Sequence, residues 1–369
     1  MSSPYSNDKM VWWYAREGGF PNAPKQVELI LSDLCNQNCS FCAYRKDGYT
    51  SNELFVGDSK RSKYGKDNPV RWIETERAHS LLTEIHDAGV LGLQFTGGGE
   101  PTVHPHHEDL FEHALSLGMK CALVSNGVKW SERLMRDILP RFSWVRISLD
   151  AGDPVTYSAV RQTPIDHWDK VLAHMERLAT EIRLAESDCV FGIGWVVTPK
   201  NYKGIIDGIR VCAESGAKYV RLSAEFNPLG TKIYTEPVDI WDEIKASIAE
   251  ARKRYERQDF AIFDLFRDRM QDLADGPPDY KVCGHQYYTH YIGGDLRAYR
   301  CCVLAYNTRG LIAGGDLSKR SFGDFWNSPE RKADMAGFDA RACKFCQFND
   351  KNRRVAALLD DNPTHKEFP

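Results

Sequence analysis

The chain has 369 residues, room for one large domain and a smaller one, and its 42 % apolar content is enough for a sizeable core. A formal charge of −3 offers no bulk attraction to nucleic acid or a membrane surface. No early apolar h-region and no uninterrupted apolar run of about 18 residues marks a secreted or membrane-spanning chain. Of the eleven cysteines, seven fall into two metal-type groupings that need reduced thiolates, which favours a reducing cytoplasm over a disulfide framework.

In chain order, residues 1–24 carry Trp12, Trp13, Tyr14 and Phe20 among polar residues and prolines, and read as an arm packed on the main domain. Residues 25–235 then alternate strand and helix. A first strand at about 27–32 delivers a cysteine loop. A helix at about 75–88 sets Ala78, Leu81, Leu82 and Ile85 on one face and stops at Gly89. Strands follow at Leu91–Thr96, Cys121–Ser125, Trp144–Leu149, Val190–Val197 and Tyr219–Ser223. Helices near 106–117, 130–139, 167–184 and 202–215 separate them. Six β-α repeats imply a parallel sheet with right-handed crossovers, as an open doubly wound sheet or as a barrel. In either, chemistry gathers at the C-terminal ends of the strands. Residues 236–280 read as a charged helical connector ending at Gly276-Pro277-Pro278, residues 281–350 as a small cysteine-bearing domain, and residues 351–369 as a polar, frayed or draped tail. Cys121, Cys189 and Cys212 sit in apolar stretches and read as core residues.

The loop after the first strand, Cys35-Asn36-Gln37-Asn38-Cys39-Ser40-Phe41-Cys42, holds three thiols at C-x3-C-x2-C spacing. Thiolates bind soft metals, and a compact loop of three suits an iron–sulfur cluster with one iron left open for a small molecule. A structural zinc site would close with a fourth Cys or His nearby; the nearest His is His79. This spacing, with Phe41 before the third cysteine, resembles the signature of the radical SAM superfamily. The resemblance covers roughly residues 25–235 and implies a partial (β/α)6 TIM-type barrel. It also implies a [4Fe–4S] cluster on Cys35, Cys39 and Cys42, and S-adenosylmethionine (SAM) on the open iron, cleaved reductively to a 5′-deoxyadenosyl radical.

Strand two ends in Thr96-Gly97-Gly98-Gly99-Glu100, a turn that lets backbone approach a ligand closely. It resembles the GGE motif of the same superfamily, which implies that Gly98, Gly99 and Glu100 bind the SAM amino group. Strand three ends in Ser125-Asn126 and strand four in Ser148-Leu149-Asp150, short polar side chains able to bond a ribose or carboxylate, or simply to make turns. By resemblance Ser125, Asn126, Ser148 and Asp150 face SAM, Phe41 belongs to its site, and Arg161 holds its carboxylate. Gly192-Ile193-Gly194 is loosely similar to an adenine-contacting stretch.

Near the C-terminus, Cys283, the pair Cys301-Cys302 and Cys343-x2-Cys346 make a four-thiolate pattern, for zinc or for a cluster on spacing alone. Beside a radical SAM barrel it resembles the Twitch form of the SPASM domain. That implies a second, auxiliary [4Fe–4S] cluster on Cys283, Cys301, Cys343 and Cys346, with Cys302 the alternative to Cys301. The long segment 45–72 carries seven basic residues, Lys60, Arg61, Lys63 and Lys66 among them, against four acidic ones, interleaved with Tyr49, Phe55 and Tyr64. It reads as a solvated insertion or as a contact for phosphates and bases.

The expected function is that of a radical SAM enzyme abstracting hydrogen from a polar substrate, leading to oxidation, rearrangement or coupling. Its partners would be a small polar molecule, a nucleotide or DNA, and an electron donor such as flavodoxin or ferredoxin, with no membrane. Alternatives are phage-type hypermodification of a nucleotide or DNA base, peptide maturation, and a zinc- or cluster-binding scaffold without catalysis. With 34 residues before Cys35 an added leader-binding domain is not expected.

Overall fold

A computed structural model describes residues 8–45, 72–225, 238–265, 276–344 and 346–359. The basic segment 45–72 lies, but for its two end residues, outside the described residues. The parallel strands are β1 (Gln26–Leu29), β2 (Gly92–Phe95), β3 (Lys120–Ser125), β4 (Trp144–Ser148), β5 (Val190–Val197), β6 (Tyr219–Ala224), β7 (Ala261–Asp264) and β8 (Thr289–Ile292), followed by β9 (Arg297–Tyr299) and β10 (Leu311–Asp316). The hydrogen-bonded order is β10-β9-β8-β1-β2-β3-β4-β5-β6-β7. Pairing from β8 to β7 is parallel throughout, and β9 and β10 add antiparallel. The result is an α/β partial barrel. Among the described residues the sheet has two free edges and does not close.

Alternation along the strands sorts the two faces. Val27 and Leu29, Leu93 and Phe95, Val145 and Ile147, Phe191 and Ile193, and Val220 and Leu222 all enter one apolar core. There they meet Ala78, Leu81, Leu82 and Ile85 of the helix Thr75–Asp87, whose i, i+3, i+4, i+7 spacing makes an apolar stripe. Each Val, Leu, Ile or Phe side chain among these contributes about 1.5–3 kcal/mol on leaving water. The alternate positions hold Gln26, Glu28, Gln94, Trp144, Arg146, Gly192, Gly194, Tyr219 and Arg221. A sheet face covered by helices would not accept these residues, and they turn instead toward the barrel lumen.

Three stretches differ from the sequence reading. The segment read as a helical connector contains a helix, Val238–Tyr255, and also β7, which continues the sheet beside β6. Alternation there is only four residues long, too short to stand out beside a charged helix. Residues 130–139 form a π turn at Leu134–Ile138 and a 3-10 turn at Leu139–Arg141, with Pro140 unable to donate the hydrogen bond that a regular helix would need. The tail begins as a helix, Asn349–Leu358, with Asn352 and Val355 buried. It packs on the N-terminal helix Asp8–Glu17 through Met10, Tyr14 and Val355, and the Tyr14 hydroxyl donates to the Gly284 carbonyl at 2.6 Å. The arm therefore packs against the C-terminal region.

Candidate functional site

The cysteine loop leaves the C-terminal end of β1 and is held from two sides. On one side stands the helix Pro154–Arg161, started by Asp153, whose carboxylate accepts from the Val155 and Thr156 N–H groups, with Pro154 at its first position. Carbonyls of its last turn take the loop's N–H groups: Asn38 donates to Arg161 at 3.1 Å and Ser40 to Val160 at 2.9 Å. The Gln37 amide donates to the Tyr157 hydroxyl at 2.8 Å.

On the other side lies the glycine turn after β2. Gly99 N donates to Ser32 O at 3.0 Å and Glu100 N to Leu34 O at 2.8 Å. A Cβ on Gly99 would overlap the Leu34 carbonyl, and one on Gly98 would overlap the Asp33 carboxylate. The glycines thus admit the cysteine loop's own backbone, besides lining the cavity in front of it.

Glu100 is buried and binds the next strand end. Its Oε1 accepts from Thr102 N, Thr102 Oγ1 and Ser125 Oγ at 3.1, 2.8 and 2.7 Å, and its Oε2 accepts from Asn126 N at 2.7 Å. Burial pushes its carboxyl up and these four donors oppose that. Ser125 Oγ also accepts from Trp130 Nε1 at 3.0 Å. Asn126 reaches back to the loop, its Nδ2 donating to Asn36 Oδ1 at 2.6 Å and standing 3.9 Å from Cys35 Sγ.

Arg161 is buried and stands 2.5 Å from Asp150 Oδ2. Its Nη1 donates to Gln37 Oε1 at 3.2 Å and to Cys39 Sγ at 3.4 Å, its Nη2 donates to the Ser148 carbonyl, and its Cζ lies 5.9 Å from the Phe41 ring centroid. Burial works against its charge, but Asp150, Cys39 and Tyr157 together outweigh that and hold the guanidinium charged. The pair is ionic, since protonating Asp150 would strand a buried guanidinium. Asp150, with φ +59°, also accepts from Val196 N at 2.5 Å.

Cys35, Cys39, Cys42, Phe41, Gly98, Gly99, Glu100, Ser125, Asn126, Ser148 and Arg161 all line one cavity, about 1350 Å³ of open space at the strand ends. Asp150 is not on that wall; it stands behind Arg161. The three thiols are in no disulfide and are partly exposed. Gly192 and Gly194 lie deeper, where a Cβ on Gly192 would overlap the Tyr219 ring. Their role in this fold is to make room for neighbouring side chains in the lumen.

A second cavity, about 900 Å³, is lined by Cys283, Cys301, Cys343 and Cys346, with His285, Arg300 and Arg309. Cys302 instead faces the barrel lumen, where the Gln347 amide stands 3.1 Å from its sulfur. The chain turns here, with Leu304 N donating to the Cys301 carbonyl at 3.2 Å, and the two side chains face different cavities. Between the cysteine regions, Tyr44 and Tyr291 share a 2.6 Å hydroxyl contact, and Tyr306 donates to Asp33 at 2.6 Å. The sequence reading missed Glu28, Tyr44, Arg146, Arg221, Gln347 and Lys351, which line the lumen. Polar residues at every second position of β1, β4 and β6 were the available signal, because a parallel strand with helices on both faces reads as continuously apolar.

The Radical SAM superfamily model matches residues 29–195. An S-adenosylmethionine-dependent nucleotide dehydratase of Flammeovirga pacifica is 26 % identical over 151 residues, 41 % of this chain and 47 % of that protein. PqqA peptide cyclase of Streptomyces rochei is 27 % identical over 139 residues, 37 % of this chain and 33 % of that one. This chain thus spans less than half the length of either relative. In solved structures, Streptococcus suis SuiB bound to precursor peptide SuiA matches with a TM-score of 0.62 at 14 % identity, covering 92 % of this chain and 73 % of that one. An anSMEcpe with bound AdoMet matches at 0.58 and 15 % identity, covering 90 % and 92 %. At such identities the structural likeness shows the fold, a TIM-like partial barrel.

Proposed function

We propose that this chain, which carries a radical SAM domain over residues 29–195, is an enzyme that abstracts hydrogen from a polar substrate held in the barrel lumen. The superfamily implies a [4Fe–4S] cluster and SAM, and the strand-end cavity suits both. Three thiols open onto it, and the Arg161 guanidinium and Asn126 amide point at two of the sulfurs, as donors do around anionic iron-bound thiolates. Cys35, Cys39 and Cys42 would hold the cluster, and Gly98, Gly99, Glu100, Ser125, Asn126 and Ser148 would bind SAM. When bound, the cluster supplies the electron for reductive cleavage of SAM to a 5′-deoxyadenosyl radical.

The protein's part is position and the exclusion of water. Glu100 and the glycine turn fix the cysteine loop against β2 and β3. Arg161 fixes it against β4, with Asp150 as a positioning residue behind it. The polar lumen opening from this cavity receives the substrate.

Cys283, Cys301, Cys343 and Cys346 would hold an auxiliary [4Fe–4S] cluster in a region of the Twitch or SPASM kind. The observation favouring Cys301 over Cys302 is that it shares a cavity with the other three, while Cys302 faces the lumen. An electron donor of the flavodoxin or ferredoxin type would supply the reductant. Oxidation, rearrangement, and the nucleotide or peptide nature of the substrate follow the names of the relatives and belong to this proposal alone. The single observation that carries the reading is the convergence of the three-cysteine loop, the Gly-Gly-Glu turn and the β3 end on one cavity. Iron analysis tests it: anaerobic reconstitution should give about eight irons per chain. Cys301→Ala should bring this to about four, while Cys302→Ala leaves it near eight. A colourless, zinc-loaded protein would contradict the reading.

A further inference from the structure

Two arginines inside the barrel have no part in the SAM site as proposed. Arg146 on β4 and Arg221 on β6 occupy inward positions on either side of β5, which carries glycine at both facing positions. Arg146 pairs in register with Gly192, and Arg221 with Gly194. A Cβ on Gly194 would stand 3.4 Å from both Cδ and Nε of Arg146. Arg146 therefore leans across the strand toward the Arg221 row, over a floor kept open by the two glycines. The Trp144 ring lies 5.4 Å from the Arg146 Cζ and supports it from below.

Both guanidinium groups line the strand-end cavity and also the lumen beyond it, about 1550 Å³, so they mark the border between the two. Lys9 and Lys351 are on the lumen wall as well, and Glu28 is the one carboxylate on that wall among the described residues. Both arginines also interact electrostatically with the Glu28 carboxyl. Four cations against one carboxylate in a concave wall focus a positive field on whatever enters.

We propose that Arg146 and Arg221 form an anion subsite that grips the substrate through a phosphate or carboxylate and presents its remainder to the cavity of Cys35, Cys39 and Cys42. A guanidinium fork matches either group bidentately. The proposal rests on the radical SAM reading of the adjoining cavity.

The test uses the anaerobically reconstituted full chain with SAM bound, and calorimetric titration with cytidine triphosphate, cytidine and the dipeptide Glu-Glu. At least one anionic probe should bind while cytidine does not. Binding of the triphosphate alone identifies phosphate, and binding of the dipeptide alone identifies carboxylate. Arg146→Gln and Arg221→Gln should each weaken that binding about tenfold, with SAM affinity changed less than twofold. Equal binding of cytidine and its triphosphate in the wild-type protein would overturn the proposal without any variant. So would no binding by either anion, or an equal loss of SAM affinity in the variants, which would assign the arginines to SAM. Failure of the underlying reading shows separately, as absence of 5′-deoxyadenosine from the wild-type protein with dithionite and no probe present.

Discussion

Arg161 ties together three parts of the site: the cysteine loop through Gln37 and Cys39, the end of β4 through the Ser148 carbonyl, and β5 through Asp150. Removing one member of a buried ion pair leaves the other charge stranded, at a cost of about 3–5 kcal/mol. Arg161→Ala should therefore lower stability by that amount in denaturant titrations of the apo-protein, and an effect below about 1 kcal/mol would contradict the buried ionic pair. Glu28 makes a pH-dependent prediction. Burial in the lumen pushes its carboxyl from 4.5 up to about 7, against the pull of Arg146, Arg221 and Lys351. Its folded value lies above its unfolded one, so the fold takes up a proton between those values and loses stability as pH rises through the window. The loss is at most about 3 kcal/mol, less as lumen water solvates the carboxylate. Glu28→Gln should flatten the stability profile between pH 4.5 and 7; a wild-type profile already flat there would refute the assignment.

At the scale of elements, the site exists because a turn and a loop interlock. Gly99→Ala would force the Leu34 carbonyl aside and shift the stretch that leads into Cys35. The expected result is reconstitution with about four irons in place of about eight, and weak SAM binding, in a protein that still unfolds cooperatively. Full iron content would mean that the close approach is not needed. Much of this was legible in the sequence, since C-x3-C-x2-C and Gly-Gly-Glu are local patterns tied to strand ends. Asp150 was not, because a polar residue after a strand reads alike whether it meets a ligand or, as here, backs an arginine eleven positions on. Gly192 and Gly194 were ambiguous for a related reason: a glycine marks close approach without saying to what, and here the Tyr219 ring and the Arg146 side chain come close. Cys301 and Cys302 were inseparable by spacing, and only the direction of the chain at that point distinguishes them.

Across the whole molecule, the two terminal helices pack on each other, and Lys9, Met10, Phe348 and Lys351 from them and their approach line the lumen opposite the cysteine loop. β8 adds the C-terminal region directly to β1, so the second cysteine cavity is built onto the sheet that carries the first. Neither arrangement follows from local pattern, because both depend on contacts between residues some 270 positions apart, such as Tyr14 with Gly284. No helix among the described residues is long and apolar enough to cross a membrane. The central claim is that the Cys35, Cys39 and Cys42 cavity cleaves SAM. The most direct measurement is 5′-deoxyadenosine formed under anaerobic conditions with dithionite, in the wild-type protein and in the variant with all three cysteines changed to alanine. The wild-type protein should form it, and the variant should form none while retaining about four irons at the second cavity. Equal formation by both, or none by an iron-loaded wild-type protein, would contradict the account.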